Sequence, residues 1–139
     1  MSATGAASGA DSRRSLLIGA TVASRLVTVL FATHAAYLDH LAGPRHPERP
    51  ERLQAVLDGV QLAGLGDAIE PLVPVAATRG DLERVHPVGY LDRIEGICAA
   101  GGGRLDPDTY ASSGSWHAAT LAAGAGLAAV RALQDGRAD

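Results

Sequence analysis

The sequence predicts an α/β chain. Two short apolar runs, residues 26–32 and 69–75, are rich in β-branched residues and lack helical spacing. Between and after them lie stretches whose apolar residues recur every three or four positions. Strands interleaved with helices define that class.

The first run, Leu-Val-Thr-Val-Leu-Phe-Ala, shows no polar alternation. It is expected to be a strand buried on both faces, as in a parallel sheet under helices. A loop is expected from residue 33 to 49, with Gly43, Pro44 and Pro47. Pro50 stands where a first helical residue tolerates proline, and Leu53, Val56, Leu57 and Val60 mark one helix face behind it. That helix should close near Gly64-Leu65-Gly66. The second strand, 69–75, is interrupted by Pro71 and Pro74.

Thr78-Arg79-Gly80-Asp81 has capping-box spacing and should open a short helix to His86. Pro87 starts another, with Val88, Leu91, Ile94 and Ile97 on one face and a stop at Gly101-Gly102-Gly103. Those glycines followed by Arg104 could cradle an anion. They lack the phosphate-loop pattern, and a helix terminator explains them better. Ser112 or Ser113 can cap a last helix from Gly114 to about Leu133. Its middle is crowded with Ala and Gly. Glycine there costs helix propensity, so close packing on a neighbour is the expected compensation.

The 139 residues suit one small domain or one part of a larger one. Twelve basic residues, all arginine, stand against 15 acidic ones, for a net charge of -3. No basic surplus points to nucleic acid. A hydrophobic fraction of 47% excludes a disordered chain, although much of it is alanine. No apolar run reaches the ~20 residues needed to span a bilayer. A cytoplasmic chain is expected. Residues 1–25 differ from the rest. They read as a flexible or non-native extension, with Arg13-Arg14 before a short apolar run as a weak export-like signal.

The single cysteine, Cys98, excludes a disulfide framework and any multi-thiolate metal site, and is expected to be a structural thiol. Five histidines occur: His34, His40, His46, His86 and His117. Zinc needs three or four converging ligands. His34, His40 and His46 are regularly spaced, but no His-Glu-x-x-His accompanies them, so they read as loop histidines. No Gly-x-Ser-x-Gly marks a serine hydrolase. Arg49 and Arg52 sit at the cation-unfavourable end of a helix, so they need partners. These are either local glutamates, Glu48 and Glu51, or a polar channel.

Four stretches together resemble the zinc-dependent histone deacetylase family, in its class II-like bacterial and acetylpolyamine amidohydrolase branches. They are Phe31-Ala32-Thr33-His34, then His46-Pro47-Glu48-Arg49-Pro50-Glu51-Arg52-Leu53, then residues 82–91 around His86-Pro87 and Tyr90, and Leu105-Asp106-Pro107-Asp108-Thr109-Tyr110 with Ser115-Trp116. They stand in the family's order from about Thr28 to Leu133. The resemblance implies the arginase/deacetylase fold, a parallel sheet flanked by helices, and hydrolysis of an acetyl-amide by zinc-activated water.

Residue by residue, the resemblance makes Asp108 the rim carboxylate that binds the substrate. It assigns His46 and Pro47 to the first rim loop, Arg52 to the internal channel, and His86 and Tyr90 to a structural helix motif. The family's zinc ligands and oxyanion-stabilising tyrosine have no counterpart here. Residues 26–139 are therefore expected to be the N-terminal part of such a domain, truncated before the metal site. Zn2+ belongs to the full-length family, and none is expected on this chain. The implied substrate is an acetylated protein or small molecule, with no nucleic acid and no membrane. The alternative is a non-catalytic interaction module that keeps the first part of the fold.

Overall fold

The computed structural model describes residues 28–43 and 46–138. The expected N-terminal extension, the start of the first strand, and Pro44 and Arg45 of the loop lie outside them. Four strands and four helices follow one another: β1 (Val29–Ala32), α1 (Glu51–Leu62), β2 (Ile69–Leu72), α2 (Arg79–Glu83), α3 (Val88–Ala99), β3 (Gly102–Arg104), β4 (Tyr110–Ser112) and α4 (Ser115–Gln134). Short 3-10 turns cover Ala35–Asp39 and Gly66–Ala68.

β1 and β2 pair in parallel, Val29 opposite Ile69 and Ala32 opposite Leu72, joined by the crossover through α1. The chain thus has the α/β fold that the sequence predicts, with a parallel sheet flanked by helices. Three details differ. β1 is half-buried rather than buried on both faces, and Val29 is 51% exposed, because β2 is its one strand partner among the described residues. β2 ends at Leu72, three residues early. Pro71 sits opposite Phe31 and brings no N–H to the ladder, and the chain beyond it leaves the sheet. Pro50 and Pro87 each stand one position before the first helical residue rather than in it.

α4 is the spine. It touches β1, β2, β4, α3 and the 35–39 turn. Leu121, Ala118, Ala125 and Ala132 are buried along it, against a core that also holds Leu72, Leu91, Cys98 and Ala111. The expected compensation for its small residues is found at Gly124. A Cβ there would lie 1.7 Å from the Val75 carbonyl oxygen, and the adjoining Ala77 N–H donates to the Thr120 carbonyl at 2.9 Å. Bare backbone therefore lets the extended segment after β2 lie directly on the helix.

Thr78 and Asp81 form the expected capping box, both halves present, although α2 ends at Glu83 rather than His86. Arg79 pairs with Glu83 within α2 (2.9 Å) and ties that helix to α3 through Glu95 (3.2 Å) and Asp92. Gly101, at φ +103, terminates α3 as expected. The stretch after it, read as loop from the sequence, is instead an antiparallel hairpin, with Gly102 opposite Ser112. Gly102 also has a left-handed φ, and a Cβ would lie 2.4 Å from the Ala111 carbonyl oxygen, so this close pairing requires glycine.

Candidate functional site: a rim of two loops

The hairpin loop, residues 105–109, presents Asp106 and Asp108. Leu105 N–H donates to the Thr109 carbonyl at 2.9 Å and closes the loop. Asp106 Oδ1 accepts the Asp108 N–H at 3.1 Å, the local Asx bond that aspartate makes in turns. Arg104 donates to the Pro107 carbonyl at 2.8 Å. The two carboxylates therefore divide the work. Asp106 builds the turn, while the Asp108 side chain is exposed, with the Asp106 carboxyl beside it and the Thr109 hydroxyl at a long 3.5 Å.

The loop before α1 meets this hairpin. His46 Nδ1 accepts the Glu48 N–H at 3.0 Å, so its proton sits on Nε2, and Nε2–H donates to the Asp108 carbonyl at 3.0 Å. His46, Pro47, Asp108 and Tyr110 line one cleft of about 340 Å³, which His40 and Glu48 share.

Arg52 does not point into an enclosed channel among the described residues. It is half-exposed or more and pairs with Glu48 at 2.8 Å, one turn back, which is the local pairing the sequence left open. It borders a second open cleft of about 270 Å³ with Tyr37, His40 and Leu53. Burial pushes the Tyr37 phenol above its ordinary 10.0. His86 and Tyr90 stack on the surface, ring centroids 5.6 Å apart, away from both clefts.

The three regularly spaced histidines separate into three tasks. His34 Nδ1 caps the 35–39 turn by accepting the Ala36 N–H at 3.1 Å. His46 holds Asp108. His40 packs its Nδ1 2.7 Å from the Ser115 hydroxyl, and sequence reasoning missed this contact. Ser112 and Ser113 do not cap α4, whose N-cap is Gly114 with no side-chain cap. Ser112 instead donates its hydroxyl to the Asp39 carbonyl (2.7 Å) and accepts the Leu41 N–H (3.1 Å). Gly114 makes this possible, since a Cβ there would sit 2.5 Å from Asp39 Cβ.

Zinc would need three or four converging side chains. Among the described residues no three of His, Cys, Asp and Glu converge in that way. They do not fit the family's metal. No helix among them is long and apolar enough to cross a membrane.

An α/β chain with a parallel sheet, an Ala/Gly-rich spine helix and a two-loop rim has the form of part of a deacetylase-type domain. The chain belongs to the histone deacetylase family: the family model of the histone deacetylase domain matches residues 46–139. It is 39% identical over 101 residues to a histone deacetylase-like amidohydrolase of Pseudomonas aeruginosa, covering 70% of this chain and 26% of that protein. A probable deacetylase of Archaeoglobus fulgidus is 35% identical over 102 residues, 72% of this chain and 28% of that one. The crystal structure of the HDA15 HD domain superposes with a TM-score of 0.70 at 28% identity, over 79% of this chain and 33% of that chain. The chain thus spans about a quarter to a third of the length of these relatives.

Proposed function

We propose that the chain supplies the substrate-facing rim of a deacetylase that hydrolyses acetyl-amides, acetyl-lysine or an acetylpolyamine, and that alone it is inactive. The observation that carries this reading is the bond from His46 to the Asp108 carbonyl. It locks the two loops into one rim and leaves the Asp108 carboxylate outward. An ionised carboxylate that accepts two N–H bonds holds a peptide-like substrate, and such charge-assisted bonds contribute roughly 1.5–3 kcal/mol each. Polarising the amide carbonyl and activating water would fall to zinc held by the family's ligands, for which the described residues of this chain offer no counterpart. This chain's part is to orient the substrate.

The test grafts residues 46–138 into the Pseudomonas aeruginosa amidohydrolase in place of its matching segment, and measures zinc content and kcat/KM on an acetyl-lysine peptide and on N-acetylputrescine. Asp108→Asn should lower kcat/KM about tenfold or more at unchanged zinc content, and Asp106→Asn far less. Equal small effects at both positions leave Asp108 a turn residue. The chain alone should hydrolyse neither substrate and take up no stoichiometric zinc at sub-micromolar free metal. Turnover by the chain alone contradicts its assignment as rim only.

A further inference from the structure

Two hydroxyls and an imidazole at the base of the hairpin fix one another's protons. The Asp39 carbonyl can only accept, so Ser112 spends its one hydroxyl proton there, at 2.7 Å. Ser112 Oγ and Ser115 Oγ lie 3.0 Å apart, and a hydrogen bond between them then takes its proton from Ser115. Ser115 then has none left for His40 Nδ1 at 2.7 Å, and that contact closes only with an N–H on Nδ1. Ser115 Oγ accepts there and from the Ser112 N–H at 2.7 Å, which fills both lone pairs. The opposite choice leaves two buried hydroxyl oxygens facing each other without a proton.

His40 is thereby the mirror of His46: Nδ1 carries the proton and Nε2 carries the lone pair. That Nε2 lies 3.9 Å from Glu48 Oε2, too far for a hydrogen bond between them. Both atoms belong to residues lining the cleft that Asp108 borders. Two acceptors at that separation suit a single nitrogen with two N–H donors placed between them. Glu48 is half neutralised by Arg52 on its other oxygen, so the pair selects by hydrogen-bond geometry more than by charge.

We infer that His40 Nε2 and Glu48 Oε2 form an acceptor pair that takes an ammonium group of the substrate, with Ser115 as the positioning residue that sets the His40 tautomer. The inference rests on the deacetylase reading only for the word substrate. The ammonium could belong to a polyamine or to a peptide.

The test is long-range 15N–1H NMR of the imidazoles in the 139-residue chain at about pH 8, where an imidazole is ordinarily neutral. His40 should show a protonated Nδ1 and a bare Nε2. N-acetylputrescine, which ends in an ammonium, should shift Nε2, and N-butylacetamide, its uncharged analogue, should not. A peptide with acetyl-lysine beside a free lysine tests the second ammonium source, and the stronger response names it. His40→Asn keeps a donor near the Nδ1 position and should retain the fold while weakening acetylputrescine binding about tenfold, read in parent and variant alike from backbone amide shifts at residues 46–48. Ser115→Ala should mix the two tautomers. A proton on Nε2 in the free chain, whether as the other tautomer or as imidazolium bound to Glu48, overturns the proposal, as does an equal response to charged and uncharged probes. If the ammonium response is absent while the grafted enzyme still depends on Asp108, this site fails and the rim reading stands. If the response is present while Asp108→Asn changes nothing, the reverse holds.

Discussion

His46 Nε2 donates to the backbone carbonyl of Asp108 across 62 positions of sequence, at 3.0 Å. The bond holds the hairpin tip by its main chain, so it fixes where the Asp108 side chain starts without occupying the carboxylate. Its loss should be local. An exposed hydrogen bond contributes about 0.5–1.5 kcal/mol net. His46→Ala should therefore leave global stability within about 1 kcal/mol of the parent and raise amide hydrogen exchange at residues 105–109. Unchanged exchange there would mean that the Asp106 turn alone holds the loop.

A pH dependence follows from the capping box. Thr78's hydroxyl, then its N–H, hold the Asp81 carboxyl below its ordinary 3.8. A carboxylate with a depressed folded-state value contributes stability that is present above the unfolded value and lost as pH falls through the folded one. The start of α2 should thus be firm above about pH 4 and loosen below it. Amide exchange at residues 79–83, compared between the parent and Asp81→Asn, measures this: the two should converge at low pH and diverge near neutral. Parallel profiles at every pH would remove Asp81 as the titrating cap.

How far the sequence led depends on the range of each interaction. The capping box at Thr78, the stop at Gly101 and the apolar stripes of α1 and α3 are local signals, and they were legible. The α/β class followed from periodicity. The hairpin is not legible because three residues are too short for a period-2 pattern, Gly-Gly-Arg and Ala111 disfavour a strand, and Gly102 resembles a helix terminator. The rim residues His46 and Asp108 were reached by resemblance. Their hydrogen bond could not be read, because nothing in a single chain relates position 46 to position 108. The same holds for His40 and Ser115. Ser112 and Ser113 looked like caps because serine before a helix usually is one. Here Gly114 lets Asp39 approach, and the hydroxyl serves that contact instead.

The thin core makes a prediction of its own. Among the described residues no large side chain is fully buried, while Leu62 is 87% exposed and Val73, Val75 and Val85 each about as open. Large apolar side chains left this open favour self-association, and a core in which alanine predominates packs with little specificity. The 139-residue chain should bind an apolar dye and elute from a sizing column as more than a monomer at tens of micromolar. A monomeric profile with a sharp calorimetric transition would show that this core suffices.

Two glycines of α4 offer the cleanest contrast, because they share a helix and differ only in what faces them. At Gly126 nothing lies within 4 Å of an added Cβ, so Gly126→Ala should gain helix propensity of about 0.5–1 kcal/mol. At Gly124 an added Cβ would meet the Val75 carbonyl oxygen at 1.7 Å and the Ala77 nitrogen at 2.8 Å. Both are backbone, so no rotamer change relieves them. The segment must lift, and the bond from Ala77 to the Thr120 carbonyl goes with it. Overpacking of this kind costs about 1–3 kcal/mol, against which the propensity gain is small. Urea midpoints should therefore move in opposite directions, up for Gly126→Ala and down for Gly124→Ala. A rise for both would mean that the 73–77 segment does not lie on α4 in solution. That segment also anchors the capping box at Thr78, so Gly124→Ala should carry increased exchange into residues 79–83, whereas Gly126→Ala should leave them protected.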